Sequence, residues 1–134
     1  MSLTEKERNS VVKFRLDKAK EALMDFYLLI DNERYNCAAN RLYYACFYAV
    51  SALLINDNYT AHTHKGVKTL LGLHYIKENK IEESYSKIYE RLFNMRQKGD
   101  YEDCFIVKEE DILPLIEPAQ KFITEIESLI YNKS

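Results

Sequence analysis

Helical periodicity with almost nothing to interrupt it is what most limits the folds open to this chain. Apolar residues recur three and four apart along most of its length, and only three glycines and two prolines stand in 134 residues. So few breakers favour a handful of long helices over many short strands. Thr4-x-x-Glu7 has the form of a capping box and opens the first segment, where Val12, Leu16, Ala19, Leu23, Phe26, Tyr27 and Ile30 follow at helical spacing to about Asp31-Asn32. A second helix is predicted from about Tyr35 to Asn56. Its stripe of Leu42, Ala45, Cys46, Ala49, Val50 and Leu53 is thickened by Tyr43, Phe47 and Leu54. A helix apolar almost all round is a central one, and the same surface also suits a subunit interface.

After a loop at 57–63, with Thr63 as an N-cap, a short helix is predicted over His64 to Tyr75. A fourth covers about Ile81 to Lys98, closed by Gly99, and a fifth runs from about Glu109 to Asn132. In the fifth, Pro114 falls near the first turn and Pro118 is expected to kink the helix. The expectation is an all-α, up-and-down bundle of four long helices and one short helix. It forms a single domain over residues 1–134, since no linker, repeat or low-complexity tract divides the chain.

No apolar run nears the roughly 18 residues of a membrane span, and the N-terminus lacks the apolar core of a signal peptide. A cytoplasmic protein with no membrane partner is expected. Cys37, Cys46 and Cys104 are odd in number and form no CxxC pair, so they read as reduced thiols, Cys46 in the core. His62, His64 and His74 match no metal-ligand spacing, no phosphate loop is present, and neither metal nor cofactor is expected. The net charge of -2 argues against a strong non-specific nucleic-acid binder. The charge is uneven. Residues 1–98 hold 16 Lys/Arg against 12 Asp/Glu, hence +4, and residues 99–134 hold 3 against 9, hence -6.

Two polar islands interrupt this scaffold. Asn40-Arg41-Leu42-Tyr43-Tyr44 heads the most apolar helix, and Met95-Arg96-Gln97-Lys98-Gly99-Asp100-Tyr101 ends the fourth. Tyr85, Ile88, Leu92 and Arg96 share one stripe, so Arg96 prolongs an apolar face. A cation there needs a partner or a ligand, because an unpaired buried charge is expensive. Asp100, four residues on, can supply the partner, though an exposed pair in this order is worth only a few tenths of a kcal/mol. Arg41, Tyr44 and Tyr48 also share a face. Two readings stand: a tyrosine-rich packing face, or a phosphate- and base-binding face using arginine for phosphate and a ring for stacking.

Asn40-Arg41-Leu42-Tyr43-Tyr44-Ala45, then His64-Lys65-Gly66-Val67, then Arg96-Gln97-Lys98-Gly99-Asp100-Tyr101 together resemble the HEPN family. The similarity is to its small prokaryotic branch and extends over nearly the whole chain. The resemblance implies a helical bundle, a homodimer, and a nucleotidyltransferase-type partner that in some systems silences a toxin by modifying a tyrosine near the motif. Many members are metal-independent ribonucleases that use Arg-x(4–6)-His at a helix end. Here Arg96 is present but no histidine follows at that distance. Counting on from Arg96 meets Tyr101, a poor base at neutral pH with its ordinary pKa near 10.

Three functions follow. The first is a nucleotide- or RNA-binding, toxin-like partner of a nucleotidyltransferase. In it Arg96 meets phosphate, Asp100 orients Arg96, Tyr101 donates a hydrogen bond or is modified, and Asn40, Arg41, Tyr44 and His64 bind the ligand. The second is an active ribonuclease using Arg96 with His64 or Tyr101. The third is a structural module whose arginines lock the fold.

Overall fold

A computed structural model describes residues 3–101 and 105–132, with positions 100 and 101 described by backbone alone. Five α-helices account for nearly all of it: α1 (Glu5–Asp31), α2 (Tyr35–Asn56), α3 (His64–Leu71), α4 (Glu83–Tyr101) and α5 (Glu109–Tyr131). No strand occurs among the described residues. The all-α expectation holds, because each long segment carries an apolar stripe that can be buried only against another helix.

The capping box at the head of α1 is closed from both sides. Thr4 N–H donates to Glu7 Oε1 at 2.8 Å and Glu7 N–H donates to Thr4 Oγ1 at 3.1 Å. α2 is the central element, packed against α1, α3, α4 and α5. Leu42, Tyr43, Ala45, Cys46, Ala49 and Val50 are all fully buried. The apolar girth of α2 is thus largely taken up within one chain. α2 is also the one described helix long and apolar enough to cross a membrane, yet 67% of that stretch is buried inside the bundle. Cys46 is a core residue, and burial pushes its thiol up to about 12.

Three boundaries differ from expectation. The short helix does not stay α-helical to Tyr75: α3 ends at Leu71 and a π-helical turn, Gly72–Ile76, carries the chain on. The wider turn carries Tyr75 into the core, where its hydroxyl donates to Asp57 Oδ2 at 2.5 Å. α4 begins at Glu83, and Gly99 does not close it. The helix continues through Gly99 to Tyr101, and no glycine takes a positive φ. α5 runs unbroken through both prolines, with Pro114 already beyond its first turn. The carbonyls they leave without an N–H partner belong to Glu110 and Pro114, both exposed, so water can satisfy them.

Candidate functional site

The two islands meet. α2 and α4 pack directly against each other, which brings Asn40, Arg41 and Tyr44 beside Arg96. Asn40 holds its neighbour: Arg41 donates through Nε (3.2 Å) and Nη2 (2.9 Å) to Asn40 Oδ1. The Arg41 guanidinium lies 4.9 Å from the centre of the Tyr44 ring, and that of Arg96 lies 5.6 Å from the same ring and 5.8 Å from Tyr43. Ring faces are electron-rich, so two cations can be brought to one ring.

Together Asn40, Arg41 and Arg96 line a cavity of about 430 Å³, closed by Asn36, Met95 and Val107. Asn36 builds one wall. Its side chain donates to the Phe105 carbonyl at 3.1 Å and accepts from Val107 N–H at 2.6 Å, fixing the segment that enters α5. Tyr35 adds a hydrogen bond from its hydroxyl to Glu109 Oε2 at 2.7 Å.

His64 reaches the same aromatic cluster from α3. Thr63 caps that helix by accepting from Gly66 N–H at 2.8 Å, which sets His64 at the first position. Its Nδ1 is 2.7 Å from the Tyr43 hydroxyl, its ring stacks on Phe47 at 4.3 Å, and it meets Tyr44 edge-on at 5.6 Å. Arg96 and His64 thus share Tyr43 and Tyr44 as neighbours. They do not line the same cavity: His64 borders a second one under the loop between α2 and α3.

Tyr43 is the centre of the cluster. Burial pushes its phenol up to about 12, against the lowering effects of the Tyr89 hydroxyl and the Arg96 charge. Tyr89 is held well above its ordinary value by burial, then by Tyr43. Among the described residues the Tyr89 hydroxyl makes no hydrogen bond of ordinary geometry, and Tyr43 is its principal polar neighbour there. Both phenols stay protonated at neutral pH and can serve as donors there, not as bases.

Asn40, Arg41, Tyr44, His64 and Arg96 are therefore gathered around one pair of rings. The side chains of Asp100 and Tyr101 lie outside the described residues, and with them the expected Arg96–Asp100 pair. The sequence reading passed over Tyr43 and Asn36. Tyr43 looked like part of the apolar stripe of α2, and nothing local shows that its hydroxyl reaches α3. Among the described residues no group of three His, Cys, Asp or Glu could hold a metal ion. The cavity's chemistry is that of two guanidiniums with fixed donors, suited to an anionic oxygen cluster such as phosphate.

Comparison with known proteins identifies the family. The model of the HEPN domain family matches residues 12–129. A UPF0332 protein of Thermotoga maritima is 36% identical over 92% of this chain and 94% of its own length. Two proteins of Methanocaldococcus jannaschii bear the name "Putative toxin". One is 31% identical over 96% of both chains, the other 27% identical over 89% of this chain and 81% of its own. The chain belongs to the HEPN domain family.

Proposed function

We propose that this HEPN-family chain is a toxin-type protein that binds nucleotide or RNA through the Asn40–Arg41–Arg96 cavity and works with a nucleotidyltransferase-type partner. The observation that carries the reading is the convergence of both arginines on one cavity and one ring, from helices that are not neighbours in sequence. Arg41 and Arg96 take the phosphate oxygens, and Asn40 keeps Arg41 turned toward the cavity. Tyr44 supports both cations, and His64 contributes a ring nitrogen beside it. Asp100 and Tyr101, at the end of α4, complete the site, with Asp100 orienting Arg96 and Tyr101 donating to ligand or accepting a modification. The names of the Methanocaldococcus jannaschii relatives support the toxin assignment.

A homodimer is part of the proposal. Met24 and Leu28, one turn apart on α1, are 64% and 66% exposed and offer apolar surface to a second copy. Sedimentation of wild type beside Leu28→Glu tests this; a monomeric wild type would refute it.

A second reading, a metal-independent ribonuclease, is favoured by the shared contact of Arg96 and His64 with Tyr43 and Tyr44. There Arg96 stabilises charge on the reacting phosphate and His64 handles a proton. The deciding experiment is incubation of an RNA pool with purified protein and chelator, comparing wild type, Arg96→Ala and His64→Asn, with RNA retention measured in parallel. Retention lost in Arg96→Ala without any cleavage supports the binding protein. Cleavage by wild type that both variants lose supports the ribonuclease. Neither binding nor cleavage by folded wild type refutes both.

A further inference from the structure

The 2.7 Å contact between the Tyr43 hydroxyl and His64 Nδ1 can be made in two ways. Either the phenol donates to an unprotonated ring nitrogen, or Nδ1–H donates to the phenol oxygen. The two differ in what His64 offers at its other nitrogen. In a neutral imidazole an unprotonated Nδ1 puts the proton on Nε2, which then donates. A protonated Nδ1 leaves a lone pair on Nε2, which can then take a proton.

The core behind Tyr43 decides between them. Tyr43 and Tyr89 are 0% and 1% exposed, so each hydroxyl proton needs an acceptor within the fold. The principal polar neighbour of the Tyr89 hydroxyl is Tyr43. Cys46, near both phenols, makes no hydrogen bond among the described residues and keeps its own proton. If His64 donated to Tyr43, the Tyr43 proton would turn to Tyr89, and the Tyr89 proton would have no acceptor among the described residues. If Tyr89 directs its proton at the Tyr43 oxygen, Tyr43 donates to Nδ1 and no proton is stranded. The acidities of the two phenols point the same way. Burial raises both most. After it, the Tyr89 hydroxyl lowers Tyr43 whereas Tyr43 raises Tyr89, as for an acceptor and its donor.

The same contacts fix where His64 stands. Tyr89 and Arg96 are seven residues apart on α4 and share one of its faces. Tyr43 lies on α2 and His64 opens α3. Tyr43 therefore ties His64 to the helix that carries Arg96. Stacking on Phe47 holds the plane of the imidazole, and the bond at Nδ1 sets its rotation within that plane. Nε2, across the ring from Nδ1, points away from the buried phenols.

We propose that Tyr43 is the positioning residue for His64: it donates to Nδ1 and holds the imidazole as its Nε2–H tautomer, which makes His64 a hydrogen-bond donor to an anionic oxygen and not a base. The donor role rests on the reading that the arginine site takes a phosphate-bearing ligand; the tautomer does not. A neutral His64 held in this way has no lone pair at Nε2 with which to take a proton from a ribose hydroxyl. Of the two functions above, it fits the binding protein.

The test is nitrogen-15 NMR of the full chain labelled at its three histidines, with the His64 signals assigned by their loss in His64→Asn. Long-range proton–nitrogen correlation at about pH 9, above the ordinary histidine range, reads which nitrogen carries the proton. The expected pattern is a proton on Nε2 and an unprotonated, hydrogen-bonded Nδ1. In Tyr43→Phe, which keeps the ring and removes the donor, the Nδ1 resonance moves to the position of a non-bonded imidazole nitrogen. The same variant retains RNA about threefold to tenfold more weakly, the value of one hydrogen bond. A proton on Nδ1 in the wild type overturns the proposal, and that spectrum decides even if Tyr43→Phe does not fold. An Nδ1 resonance that Tyr43→Phe leaves in place overturns it equally, and unchanged RNA retention overturns the donor role. Failure of the wild type to retain RNA would instead refute the ligand site while the nitrogen pattern stood, so the two failures are told apart.

Discussion

The two ends of α2 handle polar groups in opposite ways. At its C-terminal end, Asp57 accepts a 2.5 Å hydrogen bond from the buried Tyr75 hydroxyl, and Lys80 lies 5.8 Å over the same ring. Donor and acceptor meet within the fold. Toward its N-terminal end, Arg41 and Arg96 rest on the Tyr44 ring and also border a cavity. A ring face holds a guanidinium at the cavity wall, and Arg41 is steered there by its bonds to Asn40. The first arrangement is what stability alone produces. The second places two cations at a cavity wall.

The turns repeat the contrast. At the C-terminal end of α2 the left-handed positions are held by Asn58 (φ 67°) and Asn79 (φ 58°), a residue type that tolerates them. At the arginine end the turn into α2 uses Glu33 at φ 58°, a residue type with a Cβ and without the local hydrogen bonding that lets Asn tolerate this region.

The sharpest way to break this comparison is truncation at the closed end. Tyr75→Ala is expected to cost about 3–5 kcal/mol of stability by chemical denaturation, as for other large buried rings. Arg96→Ala is expected to cost no more than about 2 kcal/mol, the scale of a desolvated cation–ring contact. If the two losses were equal, the arginine end would be structural and the binding reading would fail. In the same variant, affinity for a phosphate-bearing ligand of the arginine cavity should fall by about 10–100-fold, the value of a charged hydrogen bond. An unchanged affinity would remove Arg96 from the site.

Alkaline titration sharpens the comparison further. The folded-state pKa of Tyr43 is about 12, above the ordinary 10, so the folded protein holds this proton more tightly than the unfolded chain. Its contribution is fully present below about pH 10 and is lost as pH rises toward 12, with a slope of up to about 1.4 kcal/mol per pH unit. Tyr43→Phe should flatten that part of the curve, while Tyr75 and Tyr89, raised in the same direction, keep the remainder. A curve unaltered by Tyr43→Phe would mean that its hydroxyl is not the buried donor described here. The smallest expected effect is at the turn. Glu33→Asn should raise stability by about 0.5–1 kcal/mol through relief of the left-handed strain, measured as a shift in denaturation midpoint. A loss instead would show that the Glu33 side chain stabilises that turn.

Much of this was legible in the residues. The bounds of α2, the Thr4–Glu7 box and the Thr63 cap depend on neighbours within a turn or two, and they stand where local pattern places them. Arg41 and Arg96 stood out as cations among apolar residues, and both border the cavity. The failures are also local in form. Gly99 looks like a cap, but the helix continues through it. The π-helical turn at Gly72–Ile76 leaves no mark in the periodicity, because its reason is the Asp57–Tyr75 contact across the fold.

The sequence by itself determined the number and kind of elements, the core stripe of α2 and the two islands that break the apolar pattern. Those features arise from repeats of three and four residues along one helix, and such repeats are printed in the chain. Tertiary structure alone decided that Arg41 and Arg96 share the Tyr44 ring and that the Tyr43 hydroxyl pairs with His64. Each of those depends on how far one helix slides and turns against another, which is set by the packing of all the side chains between them.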